Sequence, residues 1–145
     1  PETQNLMLTL ENKCIDLIDL ILNEPISNIK DMNLKRIEKA DNSFCCTLVL
    51  AAMGYPGEYK KGFYIDHSEI IENDKIKVFH AGTILIDEKI QSIGGRILTV
   101  NVYADNKEDA LTIAYENIKK IKIFEDEGLT KQNQKLVFYR EDIGA

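Results

Sequence analysis

Apolar positions recur along this chain in two rhythms. Over residues 1–23 the spacing is helical. Leu10, Cys14, Leu17 and Ile21 share one face, widened by Met7, Ile15, Ile18 and Leu22. Asn5, Asn12, Asp16, Asp19 and Asn23 form the opposing polar stripe. Pro25 ends this predicted helix, because the residue before a proline is driven out of the helical region. So broad an apolar face must pack on something, and a domain preceding Pro1 would serve. Residues 26–42 are polar and mixed, a connector with one short strand near Leu34–Ile37. Ser43–Ala52 is then a short apolar run that soon meets Gly54, and it predicts a strand buried on both faces.

Beyond Ala52 the rhythm shortens. Gly54-Tyr55-Pro56-Gly57 is turn chemistry, and residues 58–62 extend the loop. Asp66–Asp74 is polar with room for one helical turn. Lys75–Ile86, Lys89–Ile93 and Arg96–Ala104 read as three strands, the first two joined by a hairpin turn at Ile86-Asp87-Glu88-Lys89. The last alternates Leu98, Val100, Val102 and Ala104 on one face with Thr99, Asn101 and Tyr103 on the other. A second helix is predicted from Lys107 to Lys122, with Leu111, Ala114, Ile118 and Ile121 as its buried stripe. Asp105 and Glu108 form an acidic version of the capping box at its start. Its acidic beginning and lysine-rich end suit the helix dipole. Glu125–Lys135 reads as a flexible excursion, Leu136–Tyr139 as a closing strand, and residues 140–144 as a charged terminal cluster. The fold class is α+β: a β-rich domain with one flanking helix, preceded by an amphipathic helix.

Totals narrow the function. At 145 residues there is enough chain for one domain with a real core. The net charge of −6 opposes the positive field that a nucleic-acid binder needs. No apolar run reaches the length of a membrane span, and no signal peptide is expected from this stretch. Cys14, Cys45 and Cys46 lack zinc-site spacing and read as reduced, buried thiols of a cytoplasmic protein. The chain opens Pro1-Glu2-Thr3-Gln4 without Met and reads as cut from something longer.

Two polar, glycine-bearing segments interrupt the apolar strands: Phe79-His80-Ala81-Gly82-Thr83 and Gly94-Gly95-Arg96. Glycines there let a backbone turn sharply or approach a ligand. Alone, His80 fits a core histidine satisfied by backbone. The Gly82-Thr83 that follows offers a hydroxyl and a free amide, a small anion site. Arg96 alone fits a solvated arginine at a bulge. Its planar fork of donors also matches a phosphate or carboxylate. Tyr55 alone is a turn residue, Arg140 and Asp142 can pair with each other, and Glu2 can be an ordinary first-turn acid. There is no nucleophile–base–orienter set and no phosphate loop, so no catalytic residue is assigned.

Read in order, the segments are more specific. Pro1-Glu2-Thr3-Gln4, Val49-Leu50-Ala51-Ala52-Met53-Gly54-Tyr55-Pro56-Gly57, Tyr59-Lys60-Lys61-Gly62, the His80 and Arg96 segments, and Phe138-Tyr139-Arg140-Glu141-Asp142-Ile143-Gly144 follow one another. This series resembles the carboxyl-terminal part of the phosphoribosylamine–glycine ligases, or glycinamide ribonucleotide synthetases, of the ATP-grasp superfamily. Ile93 departs from it, standing where the family has a small or hydroxylated residue. The resemblance implies ATP-dependent joining of glycine to 5-phosphoribosylamine through a glycyl phosphate, in purine biosynthesis. It implies ATP with magnesium or manganese in the complete enzyme, none of them bound to this chain. It implies a barrel-like carboxyl-terminal unit of the rudiment single hybrid motif type over residues 43–145. Residues 1–25 would be the last helix of the ATP-grasp domain and 26–42 a connector. His80, Gly82, Thr83, Gly94, Gly95 and Arg96 would face the substrates, with Glu2, Tyr55, Arg140 and Asp142 as neighbours and no metal ligand. The partners would be the two small-molecule substrates and the missing upstream domains, with neither nucleic acid nor membrane. Two other readings remain at this level: a free-standing, non-catalytic binding module of the same fold, and the equivalent domain of a related ATP-grasp ligase. The closing Tyr139-Arg140-x-Asp142-Ile143-Gly144 favours the glycine ligases over their relatives.

Overall fold

The apolar run after Ser43 forms strand β1 (Phe44–Ala52) in this computed structural model, which describes residues 44–144. The predicted first helix, the connector and Glu2 lie outside the described residues. The strand over Arg96–Ala104 falls on its predicted residues and is β6 in chain order. Between them come β2 (Tyr64–Asp66), β3 (Ile76–His80), β4 (Thr83–Ile86) and β5 (Lys89–Ser92). After them come helix α1 (Lys107–Ile118), β7 (Lys122–Phe124) and β8 (Val137–Phe138). The strands make two antiparallel four-stranded sheets, ordered β3-β6-β1-β8 and β4-β5-β2-β7.

Register fixes the faces of the first sheet. Leu48 sits opposite Val100 and Leu50 opposite Leu98, and Val78 pairs with Val100 on the other side. These residues share one face because alternate side chains do. Helix α1 packs on β1 and β6, with Ala110, Ala114, Asn117 and Ile118 buried. Phe63, Ile65, Ile121 and Ile123 of the second sheet and its approaches join the same core. Burying each large side chain is worth roughly 1.5–3 kcal/mol, against about 0.5–1.5 kcal/mol net for a hydrogen bond. Apolar packing therefore sets the frame, and hydrogen bonds decide its corners.

Several expectations are corrected. Lys75–Ile86 is two strands in different sheets, broken at Ala81-Gly82. The break is held by Ala81 N donating to Ile97 O at 2.9 Å and Gly82 N to Arg96 O at 2.8 Å. Residues 66–74 hold no helix. The Asp66 carboxylate instead accepts from Ser68 N at 2.9 Å in a tight turn, which seats Ile70 in the core. Helix α1 stops at Ile118, because residues 122–124 are claimed by β2, with Asp66 opposite Lys122. Its cap is Asn106 and not Asp105. Asn106 Oδ1 accepts from Asp109 N at 2.8 Å, and its Nδ2 donates to Asp109 Oδ2 at 2.7 Å.

The expected flexible excursion is tied down by Asp126, which accepts from Thr130 Oγ1 at 2.8 Å and Lys131 N at 2.6 Å. Part of the closing strand is a 3-10 turn, Gln134–Leu136. The hairpin turn stands where predicted, with Asp87 (φ 47°) and Glu88 (φ 62°) both left-handed, as a two-residue connection requires.

Cys45 and Cys46 are free thiols on opposite faces of β1. Burial, then the neighbouring Cys46, pushes the Cys45 thiol up to about 11, and burial raises Cys46 as well. Both therefore stay protonated and unreactive at neutral pH. Among the described residues, no helix is long and apolar enough to cross a membrane.

Candidate functional site

The two glycine segments meet at the corner where the chain changes sheets. The carbonyl of Gly82 accepts from Ile93 N at 2.8 Å and Gly94 N at 3.1 Å. A Cβ on Gly82 would lie 2.6 Å from both Gly94 Cα and Arg96 O. Only two glycines permit this contact. It presses β3–β4 against β5–β6 and fixes where Arg96 begins its strand. A register shift between Leu50 and Ala51 then sets Arg96 opposite Ala51.

Tyr55 forms the adjoining wall. Gly54 turns the chain after β1 at φ 98°, and a Cβ there would strike Glu58 O at 2.2 Å. The ring that follows lies so close to Gly95 that a Cβ on Gly95 would sit 2.0 Å from Tyr55 Cδ2. Tyr59 packs edge-on against Tyr55, with ring centres 5.8 Å apart. The result is an open concavity of about 380 Å³. Among the described residues it is bordered by Tyr55, Ala81, Gly82, Gly95 and Arg96, with Val49 and Thr99. No carboxylate is among them. Arg96 is exposed, and no carboxylate of the described residues pairs with it. Its guanidinium is available to an anion, for which Arg is the fitting geometry.

The structure thus brings Gly82, Gly95, Arg96 and Tyr55 to one concavity, with Gly94 backing Gly82. His80 and Thr83 are separated from it. His80 pairs with Leu98 in the ladder, so it lies on the opposite sheet face from Thr99. Its Nδ1 is hydrogen-bonded to Thr83 Oγ1 at 2.9 Å. Both line a second concavity of about 340 Å³ with Ile84, Leu85 and Ile90.

The His67 ring lies 5.2 Å from that of His80. Partial burial, and then the like charge of His67, lower the His80 pKa below its ordinary 6.5, with Glu72 opposing them. A lowered histidine favours the neutral form, so its stability contribution is present above pH 6.5 and is lost as pH falls through the folded pKa. NMR titration is expected to place His80 below 6.5, and His67→Asn to move it upward. A His80 pKa above 6.5, or one unmoved by that substitution, contradicts this geometry.

Arg140 and Asp142 do not line the first concavity. They pair with each other, Nε to Oδ1 at 2.8 Å and Nη2 to Oδ2 at 2.6 Å. The hydroxyl of Tyr115 donates to Arg140 O at 3.1 Å and accepts from Ile143 N at 3.0 Å, clamping the terminal cluster to α1. Glu2 lies outside the described residues. Among the described residues, no group of three or more His, Cys, Asp or Glu could hold a metal ion.

Sequence reasoning missed Val49, Ala81 and Thr99. Thr99 belongs to a buried polar string. Thr47 Oγ1 donates to Asn101 Oδ1 at 2.7 Å, and Asn101 Nδ2 donates to Thr99 Oγ1 at 2.9 Å. The signal was present, since Thr47 and Asn101 interrupt two apolar strands. Only the pairing of Thr47 with Asn101 in the ladder makes it legible.

The family model described as "Phosphoribosylglycinamide synthetase, C domain" matches residues 45–145. This chain belongs to that family. Phosphoribosylamine–glycine ligase of Fusobacterium nucleatum is 36% identical over all of this chain, which covers 30% of that protein. The ligase of Caldanaerobacter subterraneus is 35% identical, also with 100% of this chain and 30% of that protein covered. A solved structure of phosphoribosylamine–glycine ligase from Thermotoga maritima matches with a TM-score of 0.53 at 28% identity. That match covers 79% of this chain and 27% of the solved one. The chain therefore spans about 30% of the length of these relatives. The family resemblance drawn from the ordered motifs is borne out, as is a small β-rich domain of two antiparallel sheets and one helix.

Proposed function

We propose that this chain supplies the carboxyl-terminal, substrate-side part of a phosphoribosylamine–glycine ligase. The reaction joins the carboxylate of glycine to the amine of 5-phosphoribosylamine, giving glycinamide ribonucleotide, ADP and phosphate. ATP, with magnesium or manganese, supplies the phosphoryl group that activates the glycine carboxylate, and its site falls to upstream domains. The family match over residues 45–145 carries this reading, and the concavity beside Arg96 supports it. Residues 1–25 then belong to the last helix of an ATP-grasp domain, 26–42 to a connector, and 43–145 to the barrel-like closing unit. The setting is cytoplasmic.

Each residue has a defined task in this reading. Arg96 holds a substrate oxyanion, the phosphate of phosphoribosylamine or the carboxylate of glycine, and fixes its orientation. Gly82 and Gly94 let the two segments touch and Gly95 lets the Tyr55 ring close over the backbone, which together set where Arg96 stands. Tyr55 closes one side against water. His80 and Thr83 form a neighbouring polar flank in which a neutral imidazole offers nitrogen lone-pair chemistry and no charge. Arg140 and Asp142 hold the terminal cluster in place through their mutual pair, apart from the concavity. Holding two reactants in line is a large source of rate acceleration. Positioned donors stabilise the charge that builds at an acyl centre.

The test is reconstitution. The chain is joined to the upstream part of the Fusobacterium ligase, and ADP release is followed. Release is expected only when glycine and phosphoribosylamine are both present, and none from the chain alone. A folded hybrid that releases no ADP with both substrates overturns the reading.

A further inference from the structure

The buried polar string ends at the concavity in an oriented group. Thr99 borders the concavity and is 5% exposed, and Asn101 is 0% exposed. Asn101 Nδ2 faces two backbone carbonyls, Thr99 O at 3.1 Å and Lys77 O at 3.3 Å. Neither carbonyl can donate, so the amide nitrogen must occupy that side, and the amide cannot be flipped. Thr47 Oγ1 satisfies Asn101 Oδ1 from the other side. The same Nδ2 reaches Thr99 Oγ1 at 2.9 Å and can only donate to it. Thr99 Oγ1 is therefore an acceptor toward Asn101, and its own proton must point elsewhere. Among the described residues no acceptor takes that proton. A hydroxyl bordering the concavity, with its proton unclaimed among the described residues, complements an oxygen-rich ligand.

The geometry points to Thr99 as a substrate-binding residue: its hydroxyl donates to an anionic oxygen held by Arg96, and Asn101 sets its orientation. This deepens the ligase reading and rests on the same concavity. The ligand class is an oxyanion, a phosphate ester or a carboxylate. Arg96 reads the charge, and Thr99 reads where an oxygen stands. A pocket with a fixed hydroxyl donor loses affinity when the donor is removed, because the ligand oxygen is left without its partner.

The informative variant is Thr99→Val. It keeps the shape and the strand preference, and Asn101 Nδ2 retains its two backbone carbonyls, so the fold is expected to stand. Thr99→Ser restores the hydroxyl. The 145-residue chain is titrated with inorganic phosphate, ribose 5-phosphate and glycine while amide shifts at Gly82, Arg96 and Thr99 are followed. At least one probe is expected to saturate, and ribose 5-phosphate against glycine distinguishes the phosphate source from the carboxylate. Thr99→Val should weaken that probe about tenfold, the scale of one lost hydrogen bond to a charged group. Thr99→Ser should bind within about twofold of wild type by the same reasoning. No saturable shift with any probe, or equal binding by Thr99→Val, overturns the inference. An inactive hybrid beside an intact Thr99 effect would overturn the ligase reading and leave this one standing. An active hybrid with Thr99→Val binding as wild type would do the reverse.

Discussion

Gly82→Ala is expected to destabilise the chain by about 3 kcal/mol, at or beyond the upper end of ordinary overpacking. Every atom that its Cβ would meet is backbone: Arg96 O and Gly94 Cα at 2.6 Å and Gly94 N at 2.9 Å. No rotamer change can relieve such a clash. The chain must instead open the corner, and the corner is made of hydrogen bonds. Gly82 N to Arg96 O, Ala81 N to Ile97 O, and the two amides donating to Gly82 O all lie within it. A buried amide left unpaired costs about 1–3 kcal/mol, so breaking one bond to make room gains little. The control is Gly62→Ala. Gly62 also has positive φ, at 82°, but nothing lies within 4 Å of a Cβ there. It should lose only the left-handed penalty of roughly 1–2 kcal/mol. Urea midpoints with unchanged m-values measure both. Gly94→Ala strikes the same contact from the other side, with Gly82 Cα at 2.9 Å. The double variant should therefore cost less than the sum of the two singles. A Gly82→Ala chain no weaker than Gly62→Ala would show that the two segments are not locked together.

That corner also marks where the sequence stops being readable. β1 and β6 were legible because both are long apolar runs bounded by turn residues, and β5 because a hairpin turn precedes it. At Ala81-Gly82 the chain bends out of one sheet and enters the other with only two residues between the strands. Hydrophobic alternation carries no mark of such a step, so the pattern predicts one strand where two exist. The end of α1 failed for a related reason. Ile118 and Ile121 keep helical spacing, yet Lys122–Phe124 gains more by pairing with β2, and tertiary pairing overrode a local preference. Within the site, Gly82, Gly95 and Arg96 stood out because glycine and arginine have few reasons to interrupt a strand. The position of His80 away from Arg96 follows from its register with Ile76 and Val78. Thr99 and Asn101 were set on the polar face of an alternating strand. Their burial depends on the partner strand and could not be read from one segment.

Arg96→Ala is expected to lower kcat/KM of the reconstituted ligase by roughly 10²–10³. Two donors of the guanidinium fork can meet one oxyanion. A hydrogen bond to a charged group contributes about 1.5–3 kcal/mol, and about 1.4 kcal/mol is a factor of ten. Two such bonds, less the share that water replaces in this open concavity, give that range. Folding should be nearly untouched, within about 0.5 kcal/mol, because the side chain is exposed and has no ion-pair partner among the described residues. This separates a functional loss from a structural one and sets Arg96→Ala apart from Gly82→Ala, which should lose both. Arg96→Lys keeps the charge but not the fork, and should recover only part of the loss. The division of the effect carries the mechanism. A rise in KM for one substrate at constant kcat means that Arg96 holds that substrate equally in ground and transition states. A fall in kcat means that the guanidinium meets charge which develops only as the carbon–nitrogen bond forms. Glycine and phosphoribosylamine varied separately show which oxyanion Arg96 holds. Unchanged kinetics for both would remove Arg96 from the site, leaving the concavity beside it to bind through backbone and hydroxyl groups alone.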